Sequence, residues 1–593
     1  MSRPERHWWP LERSVPMART PASGIAATRP GPIDPLTGPA VAVAGRVVTM
    51  DDAFTVRADA IVYLDKGRIV AVQERGQPSP AGFETVRVVE TRGTLFPGLI
   101  DLHNHLSYNA LPLWAPVPKR FNNRGQWPNQ PDYRKLISGP MTVLGQYRNS
   151  EGQPSLLPAL VRYVECKCLL GGVTTSQGIK LASNAGVQRF YRGLIRNVEQ
   201  TDEPDLPEAQ GRIPDIAAKE ARAFLGRLEK EDSCMLLHLS EGVTASGQID
   251  STARRHFLAL EVAPNLWAIN DRLTGIHSTG LLPEDFDVFA AHKGSMIWSP
   301  FSNLLLYGET ARVEAARAAG MPIGLGPDWS PSGSKSLLGE LKVAWLYNQQ
   351  VLNGLFKTRE LVAMATRTAA HILKWHGALG SLEAGKRADI LVIDGTAQDA
   401  YDTLVRAKDT SIRLVIINGI ARYGSPDLMG KLAPQDQTVR VGGETRRLFL
   451  DQETGDPDVK AVSLSTATSR LRAALRDIKK LAQELERPKR VALRAKRALD
   501  VVERPVWSLA LDEIQDTGVD LRPRLPFRGP RDFTGPERAL RGAAAAAAAP
   551  LSSILEPIRL DPLTVANDDD FLARVAAQPN LPEPIRQGLS ALY

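Results

Sequence analysis

Cysteine is scarce in this chain, whose 593 residues include only Cys166, Cys168 and Cys234. Three cysteines are too few for a disulfide framework, and we assign them no chemistry. Long apolar runs are also missing, since no segment reaches the uninterrupted length of a membrane span. The first residues lack the apolar core of a secretory signal. We therefore expect a cytoplasmic protein that does not act at a membrane.

Excess charge is absent from most of the chain. The formal net charge is +7, but residues 461–500 alone hold eleven Lys or Arg against four Asp or Glu, so the remainder is close to neutral. The basic isoelectric point therefore gives little reason to expect a nucleic-acid partner. A small-molecule substrate is expected instead, and a homo-oligomer stays open.

Short β-branched runs occur in two separate parts of the chain. Residues 40–95 contain "DAIVYLDKGRIVAV", with a turn at "DKG". Residues 381–425 contain "IRLVIINGIARYG", in which Asn418-Gly419 is a strong hairpin signal. We predict a small β-sandwich domain built from both flanks, following a loosely ordered tail over residues 1–39.

Residues 96–380 alternate buried-strand patterns with helical ones. Seven segments resemble buried strands: "TLFPGLIDL", "GGVTTSQGI", "RGLIRNV", "CMLLHLS", "LTGIHS", "SMIWSP" and "PIGLGPD". This alternation predicts an α/β fold and favours a (β/α)₈ TIM-type barrel whose eighth strand the pattern does not locate. An open doubly wound sheet is the alternative. No glycine-rich phosphate loop follows the first strand, which weakens a nucleotide-binding version of it.

Residues 426–593 are predicted to form a mostly helical C-terminal extension. Within it, "SRLRAALRDIKKLAQELER" is an amphipathic basic helix that Pro488 should end. Its apolar residues recur at steps of four and three: Leu471, Leu475, Ile478, Ala482 and Leu485. We expect this stripe to pack on the exterior of the barrel, and a partner-binding role is the alternative.

Histidines gather at the ends of the predicted strands. In "GLIDLHNHLSYN", His103 and His105 lie two residues apart, so on a strand they would share a face and could bind one metal ion. His238, His277 and Asp328 also end predicted strands, where a parallel barrel carries its functional residues. Singly, each could be a buried structural residue. Together, three imidazoles and a carboxylate suit Zn²⁺ or Fe²⁺ with a position left open for water.

The ordered segments "PGLIDLHNH", "GVTT", "HLSEG", "GIHSTGL", "SPFSNLLLYG", "GLGPDWSPSGS" and "LGSLEAGKRADILVIDG" resemble the amidohydrolase superfamily over residues 41–425. The resemblance is closest to the branch containing cytosine deaminase, adenosine deaminase, imidazolonepropionase and the triazine chlorohydrolases. It implies a metal centre at the C-terminal end of a (β/α)₈ barrel beside a β-sandwich. Residues after about 430 lie outside it, so we expect that deleting them leaves the metal site assembled.

The resemblance also assigns roles residue by residue. It implies one divalent ion, zinc in preference to iron, with four ligands: His103, His105, His238 and Asp328. Glu241, in an H-x-x-E pattern, would be the acid/base that moves a proton to the leaving nitrogen. His277 would contact the nucleophilic water. A binuclear centre bridged by Lys180 or Glu199 is the less favoured alternative.

Four tryptophans are candidate substrate-binding residues. Trp298 and Trp329 replace residues that are commoner in the family, and Trp114 and Trp127 lie in a long Pro-rich segment after the first strand. That segment suggests a lid with aromatic walls, and a self-packed surface loop is the alternative. Arg120 and Arg124 could meet an anionic substituent.

These observations predict a metal-dependent amidohydrolase. It would hydrolyse a C–N bond at an sp² carbon of a small cyclic or heteroaromatic substrate, as a deaminase does. A cyclic amidase that opens a lactam-like ring would use the same residues. A non-catalytic scaffold that binds partners through the basic helix is the third alternative.

Overall fold

A computed structural model describes residues 36–148, 156–183, 188–191, 193–244, 251–396, 399–434, 437–452, 456–487, 507–511 and 549–593. Nearly all of the predicted tail and the expected helix end at Pro488 lie outside these residues. No helix within these ranges is both long and apolar enough to cross a membrane.

The described residues form an α/β fold with several sheets. The strands are β1 Val41–Val48, β2 Val56–Asp65, β3 Arg68–Glu74, β4 Val88–Pro97, β5 Leu99–Ile100, β6 Val173–Ser176, β7 Lys180–Ser183, β8 Gln188–Phe190, β9 Arg196–Asn197, β10 Gln210–Arg212, β11 Met235–Leu239, β12 Glu261–Ala263, β13 Leu266–Trp267, β14 Leu273–His277, β15 Ser295–Trp298, β16 Ile323–Leu325, β17 Ile390–Asp394, β18 Ile412–Ile417, β19 Ile420–Gly424, β20 Gln437–Val441, β21 Glu444–Leu448 and β22 Trp507–Leu509.

Helices separate many of these strands. They are α1 Pro131–Tyr133, α2 Gly139–Gln146, α3 Leu157–Leu170, α4 Ala221–Leu228, α5 Thr252–Leu258, α6 Pro283–Ala291, α7 Pro300–Tyr307, α8 Val313–Ala318, α9 Leu337–Gln350, α10 Thr358–Met364, α11 Arg367–Ile372, α12 Ala400–Val405, α13 Pro426–Leu432, α14 Pro457–Lys460, α15 Leu464–Arg476, α16 Ile478–Glu486, α17 Leu551–Ile554, α18 Phe571–Ala576 and α19 Glu583–Gly588.

The two β-rich flanks meet in one nine-stranded sheet of order β20-β21-β19-β18-β17-β4-β1-β2-β3. Antiparallel pairing of β4 with β17 joins the N-terminal strands to the C-terminal ones. Strands β20 and β21 come from the region predicted to be mostly helical, and β21 pairs with β19. The sheet therefore extends beyond the predicted boundary at residue 425.

Both predicted hairpins are present in this sheet. Lys66 and Gly67 connect β2 to β3 with φ angles of 47° and 72°, and Asn418 and Gly419 connect β18 to β19 with φ angles of 47° and 74°. Two successive positive φ angles define the type I′ turn, whose twist matches that of the strands it joins. These turns set the register of the sheet.

A second set of strands runs parallel and carries the histidines. Strands β5, β6 and β9 pair in parallel, as do β10, β11, β14, β15 and β16. The two groups come together at both sides: the Ala209 amide donates to the Val198 carbonyl (2.8 Å), and the Asp328 amide donates to the His103 carbonyl (3.0 Å). Carboxyl ends of all these strands therefore face a common side.

Seven of these parallel strands lie in segments that the sequence identifies, and β10 is the eighth. Its three residues, Gln210–Arg212, are polar or glycine and are not fully buried. A strand without an apolar run gives no periodic signal. The strand forms because its neighbour β11 offers an unpaired edge.

The predicted amphipathic helix is two helices, α15 and α16, separated at Asp477. Ser463 caps the first by accepting a hydrogen bond from the Thr466 amide, so this helix begins before the predicted segment. The predicted stripe is buried or partly buried along both helices. Helix α15 packs on α3, as expected for a stripe that covers the outer surface.

Residues 549–593 make several hydrogen bonds to the loop that follows β5. Gln578 accepts a hydrogen bond from the Val117 amide (3.1 Å) and donates to the Trp114 carbonyl (3.1 Å). Asn580 donates to the Lys119 carbonyl (3.2 Å), and the Asp561 amide donates to the Ala110 carbonyl (2.9 Å). Deletion of the residues after about 430 would therefore remove these contacts to the loop, and whether the metal site still assembles stays a prediction.

Asp561 has the most buried charge of this segment. Its carboxylate lies 2.5 Å from Lys167 Nζ and 2.5 Å from Lys335 Nζ, and all three side chains are at most 2% exposed. Asp561→Ala would leave two buried ammonium groups short of a counter-charge. We expect the free energy of unfolding to fall by about 3–5 kcal/mol, measured by urea denaturation.

Asp570→Ala is the matched control for this prediction. Asp570 pairs with Arg559 on the surface, where its side chain is 55% exposed. An exposed pair contributes at most about 1 kcal/mol. Equal small losses in both variants would contradict the assignment of Asp561 as a buried anchor.

Candidate metal centre

Four histidines and one aspartate meet at the carboxyl side of the parallel strands. His238 lies within β11, His277 is the last residue of β14, and Asp328 follows β16. His103 and His105 lie beyond the two-residue strand β5, so the alternation of side chains on a strand does not place them. They are held instead by backbone hydrogen bonds to Asp328, including His105 N to Asp328 O at 2.7 Å.

The distances define two overlapping groups. His103, His105 and His238 form one group and His103, His277 and Asp328 the other, each with nitrogen or oxygen atoms within 4.8 Å of one another. His103 Nε2 lies 3.2 Å and His105 Nε2 3.5 Å from Asp328 Oδ1. His238 Nε2 lies 3.3 Å from His105 Nε2. The predicted residues therefore converge on one small volume.

Hydrogen bonds at the outer ring nitrogens fix the tautomers of two imidazoles. His103 Nδ1 lies 3.1 Å from Gln177 Oε1, and His238 Nδ1 lies 3.3 Å from the Arg212 carbonyl, so each Nδ1 carries the proton. Each Nε2 then presents a lone pair to the cluster. His103 Nε2 is buried without a hydrogen-bond partner. Such orphaned lone pairs beside a carboxylate fit a divalent cation.

His277 has the opposite tautomer. Trp298 Nε1 can only donate, and it does so to Thr310 Oγ1 (2.8 Å), whose proton is then directed to Asn303 Oδ1 (3.4 Å). Asn303 Nδ2 therefore donates to His277 Nδ1 (3.0 Å). His277 Nε2 consequently carries a proton and is a donor rather than a ligand, which agrees with a role in contacting water.

Burial sets the charge of these groups. It lowers the pKa of His238 and of His277 well below the usual value, so both imidazoles are neutral near pH 7. Burial opposes ionisation of Asp328 too, but the adjacent imidazoles, that of His103 first, hold the pKa of this carboxyl below its usual range. Ser302 Oγ also donates to Asp328 Oδ2 (2.6 Å). The cluster thus combines neutral nitrogen donors with one carboxylate.

The backbone is strained at two of these positions. His277 and Asp328 have φ angles of 67° and 69°, in the left-handed region that side chains with a Cβ rarely occupy. Such strain costs of order 1–3 kcal/mol and is retained where the surrounding structure requires it. Here the left-handed backbone conformation directs both side chains into the cluster from the ends of their strands.

Glu241 lies beside the cluster but outside both groups. Its Oε2 is 3.8 Å from His277 Nε2, and its Oε1 accepts a hydrogen bond from the Tyr307 hydroxyl at 2.7 Å. Burial raises the pKa of Glu241 to about 7. A carboxyl group with a pKa near 7 is suited to both accepting and donating a proton.

A cavity of about 650 Å³ opens onto these residues. Its walls include Trp127, Trp329 and Tyr108, and it contains Glu241 and Arg124. The Trp127 and Trp329 ring centroids are 5.9 Å apart, and those of Tyr108 and Trp329 are 4.9 Å apart. A flat ring of modest size fits such walls.

Two of the four predicted tryptophans do not line this cavity. Trp298 is fully buried, and its Nε1 donates the first of the hydrogen bonds that lead through Thr310 to His277. Trp114 is buried against Phe121 and Tyr133, because the segment after β5 folds back on itself. Part of that segment is therefore self-packed, as in the alternative, whereas Trp127 lines the cavity and the lid stays a prediction.

Of the two arginines predicted to meet an anionic substituent, one lines the cavity and the other does not. Arg124 lines the cavity, but it pairs with Asp215 (2.7 Å) and donates to the His238 carbonyl (3.2 Å). Arg120 is not among the lining residues. Glu199 accepts from the Gly178 amide (2.8 Å), and neither it nor Lys180 belongs to the two metal-binding groups found among the described residues.

Sequence reasoning missed the residues that orient the site. Gln177, Asn303 and Tyr307 have no charge or ligand pattern of their own, although each lies within a quoted segment of the sequence. Their importance depends on which atom each one contacts. Only the folded chain supplies that information.

Known proteins resemble this chain. The family model described as the amidohydrolase family matches residues 215–421. A 5-methylthioadenosine/S-adenosylhomocysteine deaminase from Nitratidesulfovibrio vulgaris is 25% identical over 431 residues, covering 66% of this chain and 92% of the relative. The corresponding deaminase from Moorella thermoacetica is 24% identical over 373 residues, covering 57% and 84%. Residues 215–421 thus carry the match to the amidohydrolase family that the sequence motifs predict.

Two further proteins are similar to this chain. An S-triazine hydrolase from Gordonia rubripertincta is 30% identical over 178 residues, covering 28% of this chain and 37% of the relative. The crystal structure of an adenosine deaminase from Xanthomonas campestris with bound zinc has a TM-score of 0.51 at 17% identity, covering 76% of this chain and 99% of that one. The latter is a likeness of fold.

These similarities confirm the predicted class of enzyme. The protein is a metal-dependent hydrolase that acts on carbon–nitrogen bonds other than peptide bonds. The deaminase relatives are named for small-molecule substrates.

Proposed function

We propose that this amidohydrolase is a deaminase that removes an exocyclic amino group from a small heteroaromatic ring. The observation that carries the proposal is the position of Glu241, which is separate from both metal-binding groups and faces the cavity beside Trp127 and Trp329. Deaminase names among the relatives support the same reaction class.

Each residue of the cluster has a defined part in this proposal. His103, His105, His238 and Asp328 hold one divalent ion, and such an ion when bound activates water for attack near neutral pH. Glu241 takes a proton from the attacking water and delivers it to the leaving nitrogen. His277 orients the attacking oxygen by donating from Nε2.

We propose zinc in preference to iron for this ion. Neutral imidazole nitrogens with one carboxylate and an open position form a donor set that suits zinc in hydrolases, and iron accepts the same set. A single ion is proposed because Glu199 belongs to neither of the two metal-binding groups found among the described residues.

We also propose that the eight parallel strands close into a (β/α)₈ barrel over residues 96–380. The hydrogen bonds between Ala209 and Val198 and between Asp328 and His103 support closure on both sides. A separate cluster of buried apolar side chains in the nine-stranded sheet supports a second domain built from residues 40–95 and 381–425. Residues 426–593 would then be an extension that packs on the barrel.

A substrate screen tests the function. The zinc-loaded protein is incubated with aminopurines, aminopyrimidines, aminotriazines and lactams, and ammonia and ring-opened products are measured separately. Ammonia release from a heteroaromatic amine is expected. Ring opening alone would instead make the protein a cyclic amidase, which would use the same residues. A fully metal-loaded protein that acts on none of these would favour the scaffold.

A further inference from the structure

Three side chains form a hydrogen-bonded chain from the cavity wall to Glu241. Trp127 Nε1 donates to the Tyr307 hydroxyl oxygen (3.0 Å), and the Tyr307 hydroxyl donates to Glu241 Oε1 (2.7 Å). Tyr307 is 2% exposed and Glu241 3%. Water therefore cannot substitute readily for either partner.

The chemistry of the donors fixes the direction of this chain. An indole N–H can only donate, so the Tyr307 oxygen must accept from Trp127. The single hydroxyl proton of Tyr307 is then directed at Glu241 Oε1. With Oε1 engaged, Oε2 is the oxygen that faces His277, at 3.8 Å from its Nε2.

Each member comes from a different part of the fold. Trp127 belongs to the segment after β5 and lines the cavity. Tyr307 is the last residue of α7, directly before Gly308, whose φ angle of 74° ends the helix. Glu241 follows β11. The chain thus joins a wall of the substrate cavity to the group proposed to move the proton.

We propose that Tyr307 is a positioning residue that holds the Glu241 carboxyl group with Oε2 toward the reacting atoms, and that Trp127 holds Tyr307 in place. The inference rests on the proposed function, in which Glu241 is the proton shuttle. The inference adds that the position of Trp127 in the cavity wall and the orientation of the Glu241 carboxyl group are coupled. A substrate ring packed on Trp127 would stabilise both.

Tyr307→Phe tests this coupling in the metal-loaded protein. Loss of a hydrogen bond to a carboxyl group is expected to lower kcat by about 10- to 100-fold. KM should stay within about twofold and metal content should not change. Trp127→Phe keeps an aromatic wall, removes the N–H donor together with part of the ring, and should lower kcat by a smaller factor. Tyr63→Phe, in the nine-stranded sheet, is the matched control and should retain full turnover.

A double-mutant cycle separates positioning from general structural support. If Tyr307 acts through Glu241, then Tyr307→Phe should cost less than about twofold in kcat when Glu241 is already Gln. An equal fold-loss in both backgrounds, or full turnover of Tyr307→Phe, would overturn the proposal.

An NMR measurement that does not require catalytic activity tests this inference separately from the proposed function. The indole ¹⁵N–¹H resonance of Trp127, assigned by its loss in Trp127→Phe, should shift in Tyr307→Phe and in Glu241→Gln, but not in Tyr63→Phe, because hydrogen bonds in a chain polarise one another. An unchanged resonance in Tyr307→Phe would overturn the chain itself. Absence of turnover in the wild type, with the shift present, would contradict only the proposed function.

Discussion

Glu241→Gln should keep its metal and lose about 10² to 10⁴ in turnover, the usual contribution of a positioned acid/base group. The four residues proposed as ligands are untouched, and glutamine is nearly the same size as glutamate. Its amide oxygen can still accept the hydrogen bond from Tyr307. The variant therefore removes proton transfer while preserving packing. Elemental analysis and steady-state kinetics on the substrate found by the screen measure the two effects.

Two other results would change the assignment. Normal metal content with near-normal turnover would mean that the H-x-x-E match is coincidental. Loss of the metal would make Glu241 a ligand, and the place of Asp328 in the set would then need revision.

His238→Ala should lose metal and activity together. The wild type is expected to hold about one equivalent of zinc or iron after reconstitution, and the variant should hold almost none. Removing only a hydrogen-bond partner of a metal ligand typically costs 10- to 100-fold in affinity, and removing the imidazole itself should cost more. His238 Nε2 lies 3.3 Å from His105 Nε2, so the substitution removes a nitrogen donor from the centre of the cluster.

His292→Ala is the control for this second prediction. His292 follows α6 and its Nδ1 lies 2.9 Å from the Val288 carbonyl, apart from the cluster. It should keep its metal and turnover. A His238→Ala protein that still binds one equivalent would contradict the ligand set, and two tightly bound equivalents in the wild type would support a binuclear centre instead.

The sequence predicts the convergence of the candidate site residues for a physical reason. Parallel strands end on one side, so His238, His277 and Asp328 could be brought together from strand patterns alone. The same argument placed His103 and His105 on a strand, yet they lie past β5 and are held by backbone hydrogen bonds to Asp328. Convergence was predictable, whereas the local geometry of the HxH pair was not.

The remaining parts of the site depend on contacts that leave no periodic signal. Tyr307 acts through its hydrogen bond to Glu241 and Asn303 through its hydrogen bond to His277, and β10 has no apolar run. The position of Trp298 in the motif predicts a pocket residue, but its indole is buried and donates a hydrogen bond to Thr310. Sequence patterns report burial and periodicity, and they do not report which polar atom meets which.

The hydrogen bonds between Gln578 and the loop after β5 have a consequence for folding during translation. Gln578 and Val117 are separated by 461 residues. At about 5–20 residues per second, roughly 20–90 s pass on the ribosome before the loop meets its partner. During that interval the Val117 amide and the Trp114 carbonyl lack the side chain that they bond in the finished protein. The loop should therefore reach its final conformation only long after the parallel strands have begun to emerge.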